Sequence, residues 1–135
     1  MDLQFISPRE LGTVFAPYSQ IARAKAAQEI VFVAGQVATR EDSSIAGVDD
    51  FEAQCEQVYT NIETALSHAG ANWSNVAQFT SYLVSADDIA PYKAWRERRF
   101  KDLFPSGDYP TNTLLIIQRL VVDTLRLEVQ AIAVK

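Results

Sequence analysis

The sequence has very little of the residues that build covalently or metal-stabilised folds. It contains one cysteine, Cys55, and one histidine, His68, in 135 residues. One cysteine cannot form an internal disulfide, and this pair is too small a ligand set for a structural zinc ion. No cofactor is therefore expected. An apolar core must stabilise the chain, and a single domain over residues 1–135 is expected to bury roughly two thirds of its unfolded surface.

Long apolar runs and an excess of positive charge are also missing. No run approaches the ~20 apolar residues of a membrane span, and the N-terminus lacks the basic-then-apolar pattern of a signal peptide. We therefore expect a cytoplasmic protein without a membrane partner. The net charge of -5 disfavours a nucleic-acid partner, because nucleic-acid-binding faces normally carry a basic patch.

What the sequence does contain is a regular succession of strand and helix signals. Apolar or alternating segments predict strands at residues 2–7, 18–24, 30–34, 76–84, 112–120 and 125–134. Helical spacing predicts one helix that starts at residues 49–52 and stops at Gly70, and another that Asp88 caps and Pro105 stops. The order β-β-β-α-β-α-β-β is typical of an α+β domain with two helices on one face of a mixed sheet.

The same segments carry expectations about packing. The short acidic turn at residues 121–124 predicts that the last two strands form an antiparallel hairpin. The apolar run at residues 30–34 predicts a central strand that is buried on both faces. Each strand–helix–strand passage predicts a pair of parallel neighbours. The sheet face without helices is expected to be covered by self-association.

Several conspicuous residues are interpreted as structural. Cys55 lies on the apolar stripe of the first helix, and His68 faces solvent near that helix's C-terminus, where its charge favours the dipole. Arg119 has the opposite side-chain parity to Asn112, which counts against a role beside it. The inner face of the second helix is expected to carry Ile89, Tyr92, Trp95, Phe100 and Leu103. The basic run Arg96, Arg98, Arg99 and Lys101 is expected to form a solvated outer face.

Five short segments, in order along the chain, resemble the signatures of one family. They are residues 16–20 (APYSQ), 30–36 (IVFVAGQ), 61–63 with 69–71, 88–90 and 130–133 (QAIA). The chain thereby resembles, over nearly its whole length, the RidA (YjgF) family of reactive-imine deaminases, also called L-PSP endoribonucleases. The resemblance implies a chorismate-mutase-like fold, a homotrimer, and small-molecule pockets between subunits. In active members those pockets hydrolyse 2-imino acids to 2-oxo acids and ammonia.

The chain departs from the family's pattern where chemistry is expected. Asn112 stands where the deaminases have an arginine that grips the substrate carboxylate. A guanidinium makes two charge-assisted bonds and an amide only neutral ones. At roughly 1.5 to 3 kcal/mol for a hydrogen bond to a charged group, carboxylate binding should weaken by about one to two powers of ten. Lys93 similarly replaces a helix asparagine of the family.

The second departure concerns the glutamate that is thought to position the attacking water, which is Gln130 here. An amide can orient water but cannot take its proton, and general-base help is typically worth ~10² to 10⁴ in rate. Glu128 is on the same strand face, but it lies about 6.7 Å further along the strand. It is therefore too far away to substitute without a shift.

The resemblance and these departures predict a polar, largely uncharged pocket. Its expected catalytic residues are Gln130 and Tyr18, and its expected substrate-binding residues are Asn112, Thr113 and the backbone of Ala34 and Gly35. Each side chain also has a structural alternative. Tyr18 can pack its ring at a subunit edge, Asn112 can hold its own loop, and Gln130 can pair across the subunit seam.

Three functions remain open at this point. The first is a RidA-like hydrolase or deaminase that acts on an imine, an enamine or a related metabolite, and not on the usual 2-iminobutanoate or 2-iminopropanoate. The second is a non-catalytic trimeric protein that binds a metabolite. The third is an RNA endonuclease, which the acidic charge balance disfavours.

Overall fold

The computed structural model describes all residues, 1–135, and confirms the predicted order of elements. The strands and helices are β1 (Asp2–Ile6), β2 (Ile21–Lys25), β3 (Ile30–Gln36), α1 (Phe51–His68), β4 (Val76–Leu83), α2 (Ile89–Leu103), β5 (Thr111–Ile116) and β6 (Leu127–Val134). The last four strands form one sheet in the order β3-β6-β4-β5, in which only β4 and β5 are parallel. Strands β1 and β2 form a separate antiparallel pair. The α+β class with two helices packed on a mixed sheet is confirmed.

Two predicted strand pairings and one predicted strand position are wrong. Strands β5 and β6 form no hairpin, because β4 lies between them. Strands β3 and β4 are not neighbours, because β6 lies between them. Strand β3 is an edge strand and not a central one, since Ile30 and Phe32 are 59% and 75% exposed. The inner positions belong to β6 and β4. The alternate residues Leu127, Val129, Ala131 and Ala133 of β6 are buried against the helices.

The predicted ends of α1 are correct and have the expected causes. The Asp50 carboxylate accepts a hydrogen bond from the Ala53 amide at 3.1 Å, which caps the N-terminus. Gly70 has a φ of 66°, which is the left-handed conformation that commonly ends a helix. Glycine adopts this conformation without the steric penalty of a Cβ atom. Cys55 is fully buried on the apolar stripe, as predicted, and burial raises the pKa of its thiol. His68 is exposed near the C-terminus of α1, also as predicted.

The start of α2 is built differently from the prediction. Asp88 occupies the N-cap position but makes no capping bond with its side chain. Instead its buried carboxylate accepts hydrogen bonds from Arg126 Nη2 and Nε, at 2.5 and 3.1 Å. This ion pair ties the first turn of α2 to the start of β6. The local sequence pattern of a cap does not reveal a partner that is 38 residues away.

The inner face of α2 also differs from the prediction at two positions. Tyr92, Trp95 and Phe100 are buried as expected, but Ile89 is 40% exposed. Arg96, in contrast, is buried, at 3% exposure, so Arg96 does not belong to the solvated basic run. The other three basic residues of that run do reach solvent.

Neither α1 nor α2 combines the length and the hydropathy that a membrane-spanning helix requires.

Candidate functional site

Two depressions flank strand β5, and they share two of the predicted site residues, Tyr18 and Asn112. The first, which we call the helix-side pocket, has a volume of about 320 Å³ and is lined by Phe15, Ala16, Tyr18, Ile89, Lys93, Arg96, Asn112 and Leu114. The second, which we call the outer cleft, has a volume of about 730 Å³ and includes Tyr18, Asn112, Thr113 and Ile132 in its wall. The loop before β2 therefore meets β5 where the sequence predicted a site.

A chain of buried hydroxyl groups fixes the orientation of the Asn112 side chain. Its Oδ1 accepts a hydrogen bond from Ser81 Oγ at 2.8 Å. Because Ser81 donates to Asn112, it accepts from the Tyr92 hydroxyl at 2.8 Å, and Tyr92 in turn accepts from the Tyr59 hydroxyl at 2.6 Å. The hydrogen bonds therefore run in one direction from α1 to β5. The Asn112 Nδ2 group is left as a donor with no partner in the chain.

The charge state of this relay is set by its environment. Burial raises the pKa of Tyr92, although the Arg96 charge and two hydrogen bonds oppose the rise. Burial also raises the pKa of Tyr59 well above its usual value. Both hydroxyls therefore stay protonated at neutral pH and act as donors. As a result, the relay presents Asn112 to the helix-side pocket as a neutral hydrogen-bond donor.

Arg96 brings a positive charge to this pocket. The sequence predicts that Arg96 lies on a solvated face. Its guanidinium lies over the Tyr92 ring, 4.4 Å from the ring centroid. Its Nε and Nη1 atoms are buried and have no hydrogen-bond partner. The spacing of residues along α2 is a signal that places Arg96 at the pocket. Ile89, Lys93 and Arg96 are four and three residues apart and therefore share one helix face. The pocket is thus cationic and not largely uncharged.

Tyr18 is held at the pocket by its backbone and leaves its hydroxyl free. Its amide donates to the Ala16 carbonyl at 2.8 Å, and the amide of the following residue, Ser19, donates to the Pro110 carbonyl at 3.2 Å. These bonds fasten the loop beside the start of β5. The Tyr18 hydroxyl makes no hydrogen bond within the chain, so it is available to a ligand or to water.

Gln130 faces the opposite side of the sheet from Asn112. Asn112 is paired in register with Phe79, and Phe79 with Ala131, and both of these partners are buried under the helices. Gln130 therefore lies on the other face, where its Oε1 accepts a hydrogen bond from the Tyr82 hydroxyl at 3.0 Å. A single chain does not bring the two predicted amides together.

The other predicted residues divide between these two places. Thr113 shares the outer face with Gln130, because both are paired with Thr80 of β4. Ala34 and Gly35 lie on the edge strand β3, away from both depressions. The Glu128 carboxylate folds closely over Gly35, at a position where any side chain would collide with it. The outer face thus carries Gln130 and an acidic neighbour, and the helix face carries Tyr18 and Asn112.

Arg119 does not reach either depression. Its Nη1 pairs with Asp123 at 2.8 Å, and its Nε donates to the Leu120 carbonyl at 3.0 Å, so it braces the loop after β5. No group of three or more His, Cys, Asp or Glu side chains is placed to hold a metal ion. The chemistry that the site offers is hydrogen bonding from Tyr18 and Asn112 together with the positive charge of Arg96.

Related sequences align with nearly the whole length of the chain. A family model described as Endoribonuclease L-PSP matches residues 11–135. The chain is 30% identical over 135 residues to RutC family protein slr0709 of Synechocystis sp., with 99% of this chain and 98% of the relative covered. It is 29% identical over 129 residues to RutC family protein PYRAB12510 of Pyrococcus abyssi, with coverages of 96% and 91%.

Solved structures agree with the fold. The crystal structure of YyfB from Yersinia pestis, described as a protein of unknown function of the conserved Rid protein family, superposes with a TM-score of 0.83 at 26% identity over 100% of both chains. Escherichia coli TdcF with bound serine gives a TM-score of 0.71 at 22% identity over 98% of both chains. The YjgF gene product of E. coli has the same TM-score at 21% identity and the same coverage. The predicted fold is therefore confirmed.

Proposed function

The chain belongs to the endoribonuclease L-PSP family, which includes RidA and YjgF, and from this premise we propose that it is a small-molecule hydrolase that acts on an imine, an enamine or a related carbonyl derivative. In such a reaction water adds to a C=N carbon, and the product carbonyl forms as ammonia leaves. The family's name also refers to RNA cleavage. The net charge of -5 makes an RNA substrate the weaker candidate.

One observation carries the proposal: two free hydrogen-bond donors, Tyr18 Oη and Asn112 Nδ2, line the same pocket. The relay from Tyr59 through Tyr92 and Ser81 holds the Asn112 amide in one orientation. Fixed donors of this kind stabilise charge that develops on a reacting oxygen or nitrogen, because they need no reorganisation during the reaction. TdcF, which has the same fold, was solved with bound serine, so the fold accommodates an amino-acid-sized ligand.

The proposal includes a homotrimer with pockets between subunits. Gln130 and Asn112 face opposite sides of the sheet in one chain, so they can contribute to one site only if different copies supply them. The outer face is also apolar in part, with Phe32 75% and Leu115 44% exposed. Exposed apolar side chains on an uncovered sheet face favour association with a second copy.

The trimer is tested with a charge on the outer face. Phe32→Glu is expected to convert the protein to monomers while its far-UV circular dichroism stays unchanged, because the side chain contacts little within its own chain. Sedimentation equilibrium measures the mass. Val121→Glu is the control, since Val121 is 80% exposed in a loop and is expected to leave the mass unchanged. A monomeric wild type would contradict the trimer.

Hydrolysis is tested by generating imines from several amino acids in the presence of the protein. The expected result is faster ammonia release and less trapping of the imine by semicarbazide. Tyr18→Phe should lower kcat by about tenfold or more through loss of one donor to the reacting group. It should not change the melting temperature, because the hydroxyl makes no bond within the chain. Equal ammonia release with and without the protein, for every imine, would reject the hydrolase.

A non-catalytic metabolite-binding protein is the second candidate, and one observation favours it. The Gln130 side chain is an amide, which cannot act as a general base. Its Oε1 already accepts a hydrogen bond from the Tyr82 hydroxyl. Under this alternative, small molecules bind at the helix-side pocket without turnover. Saturable binding in the absence of ammonia release would support it.

A further inference from the structure

A third depression lies between strand β1 and the C-terminal end of helix α2, and we call it the aromatic groove. Its volume is about 300 Å³, which is at the lower end of the range for small-molecule sites. It shares no lining residue with the helix-side pocket or with the outer cleft. Its wall includes the aromatic side chains of Phe5, Trp73 and Phe104, the aliphatic side chains of Leu3 and Leu103, and one carboxylate, that of Asp108.

Three separate parts of the chain build this groove. Leu3 and Phe5 are alternate residues of β1, so their side chains lie on the same face of that strand. Trp73 lies in the turn between α1 and β4. Leu103 and Phe104 come at the end of α2, directly before the proline that stops the helix. The groove therefore exists only in the folded chain.

The aromatic wall is held in place by contacts outside the groove. The Trp73 Nε1 atom donates a hydrogen bond to Glu63 Oε1 at 2.9 Å. Tyr59 stacks against the Trp73 ring with centroids 6.1 Å apart and an angle of 29° between the planes. The Phe104 ring meets Trp73 edge-on, at 5.9 Å and 72°. Because these rings are already fixed, a ligand loses little free energy in ordering them.

The charge of the groove is negative. Asp108 is the only charged residue in its wall, which contains no lysine, arginine or histidine. The Asp108 backbone amide donates to Ser106 Oγ at 3.2 Å, which fixes the loop, while the carboxylate makes no hydrogen bond or ion pair within the chain. Aromatic faces also carry negative electrostatic potential and attract cations. The wall therefore favours a positively charged ligand.

We propose that the aromatic groove binds a small organic cation, an alkylammonium or quaternary ammonium group. The Trp73 ring provides the aromatic face, Asp108 provides the counter-charge, and the aliphatic wall contacts the alkyl part of the ligand. An anion is repelled by Asp108, and a neutral molecule gains only the apolar contact. This site is separate from the one that contains Tyr18 and Asn112, and the inference does not depend on the function proposed there.

The test compares two probes that have the same shape and differ in charge, choline and 3,3-dimethylbutan-1-ol. Each is titrated into the ¹⁵N-labelled wild-type protein, and the indole N–H signals are followed by NMR. Choline is expected to shift the Trp73 Nε1–H signal saturably and to leave the signal of Trp95, which is buried elsewhere, in place. The neutral alcohol should bind about 3- to 30-fold more weakly, because it has no charge to interact with the ring.

Substitutions locate the counter-charge and the aromatic face. Asp108→Asn should weaken choline binding by about 3-fold or more and leave binding of the alcohol unchanged. Asp87→Asn is the matched control, because Asp87 is an exposed carboxylate outside the groove whose amide also donates to a serine two residues earlier, Ser85, at 3.2 Å. Trp73→Leu should remove the preference for choline. If Trp73→Leu does not fold, Asp108→Asn and the two probes decide the question.

Three results would overturn the inference. Equal binding of choline and the alcohol would show an apolar groove without a preference for charge, and wild-type affinity for choline in Asp108→Asn would remove the counter-charge. A Trp73 signal that responds to protein concentration and not to choline would show that a second copy covers the groove. Tyr18→Phe is expected to bind choline as the wild type does, so failure of the hydrolase proposal is distinguishable from failure of this one.

Discussion

Replacing Gln130 with glutamate is expected to raise the rate of imine hydrolysis by about 10²-fold or more at neutral pH. The two side chains have the same shape, but only the carboxylate can accept a proton from water as it attacks, and such help is typically worth ~10² to 10⁴ in rate. The Tyr82 hydroxyl, 3.0 Å from Gln130 Oε1, can donate to either side chain, so the fold should tolerate the change. Initial rates of ammonia release from a panel of imines measure the effect.

The control for this prediction is Gln118→Glu, which makes the same chemical change at an exposed position after β5. It should leave the rate at the wild-type value. The rate of Gln130→Glu should also fall as the pH drops through the range in which the new carboxyl group is protonated. An unchanged rate for Gln130→Glu in a correctly folded trimer would mean that this side of the sheet does not face the reacting group.

Removing the guanidinium of Arg126 is expected to produce the largest loss of stability. Arg126→Met leaves the carboxylate of Asp88, which is 4% exposed, buried without its two hydrogen bonds. Breaking a buried pair by removing one partner typically costs 3 to 5 kcal/mol. We expect about 3 kcal/mol, at the low end, because the Arg126 side chain is 35% exposed. Urea denaturation at pH 7 measures the free energy of unfolding.

Two further variants separate the ion pair from other effects. The double variant Asp88→Asn with Arg126→Met should recover much of the loss, because it leaves no unpaired charge. Arg119→Met removes an arginine whose pair with Asp123 is exposed on both sides, at 59% and 82%, and should cost less than about 1 kcal/mol. Similar losses for Arg126→Met and Arg119→Met would show that burial of Asp88 contributes little.

Features that depend on neighbouring residues were predictable from the sequence. The order of the elements follows from apolar periodicity. The ends of α1 follow from an N-cap at Asp50 and a left-handed glycine at Gly70, and each needs only a few residues of context. Burial of Cys55 followed from its place on an apolar stripe. The overall resemblance to one family had the same origin, because its short segments can be recognised one at a time.

Candidate site residues were predictable only in part. The structure brings Tyr18 and Asn112, which are 94 positions apart in the chain, to one pocket, and their roles there stay a prediction. The charge of that pocket was missed, because a basic residue in a run of basic residues normally faces solvent. Arg96 is buried beside Tyr92 instead, and only the packing of α2 on β4 and β5 reveals it.

The amino-acid sequence by itself determined the secondary structure, the α+β class and the family, because those depend on local periodicity, caps and short motifs. The tertiary structure alone decided that β6 is an inner strand and β3 an edge strand, that Asn112 and Gln130 face opposite sides of the sheet, and that Arg96 is a buried cation beside a pocket. The physical reason is that strand neighbours and buried charges depend on contacts between distant residues. Such contacts exist only once the whole core has packed.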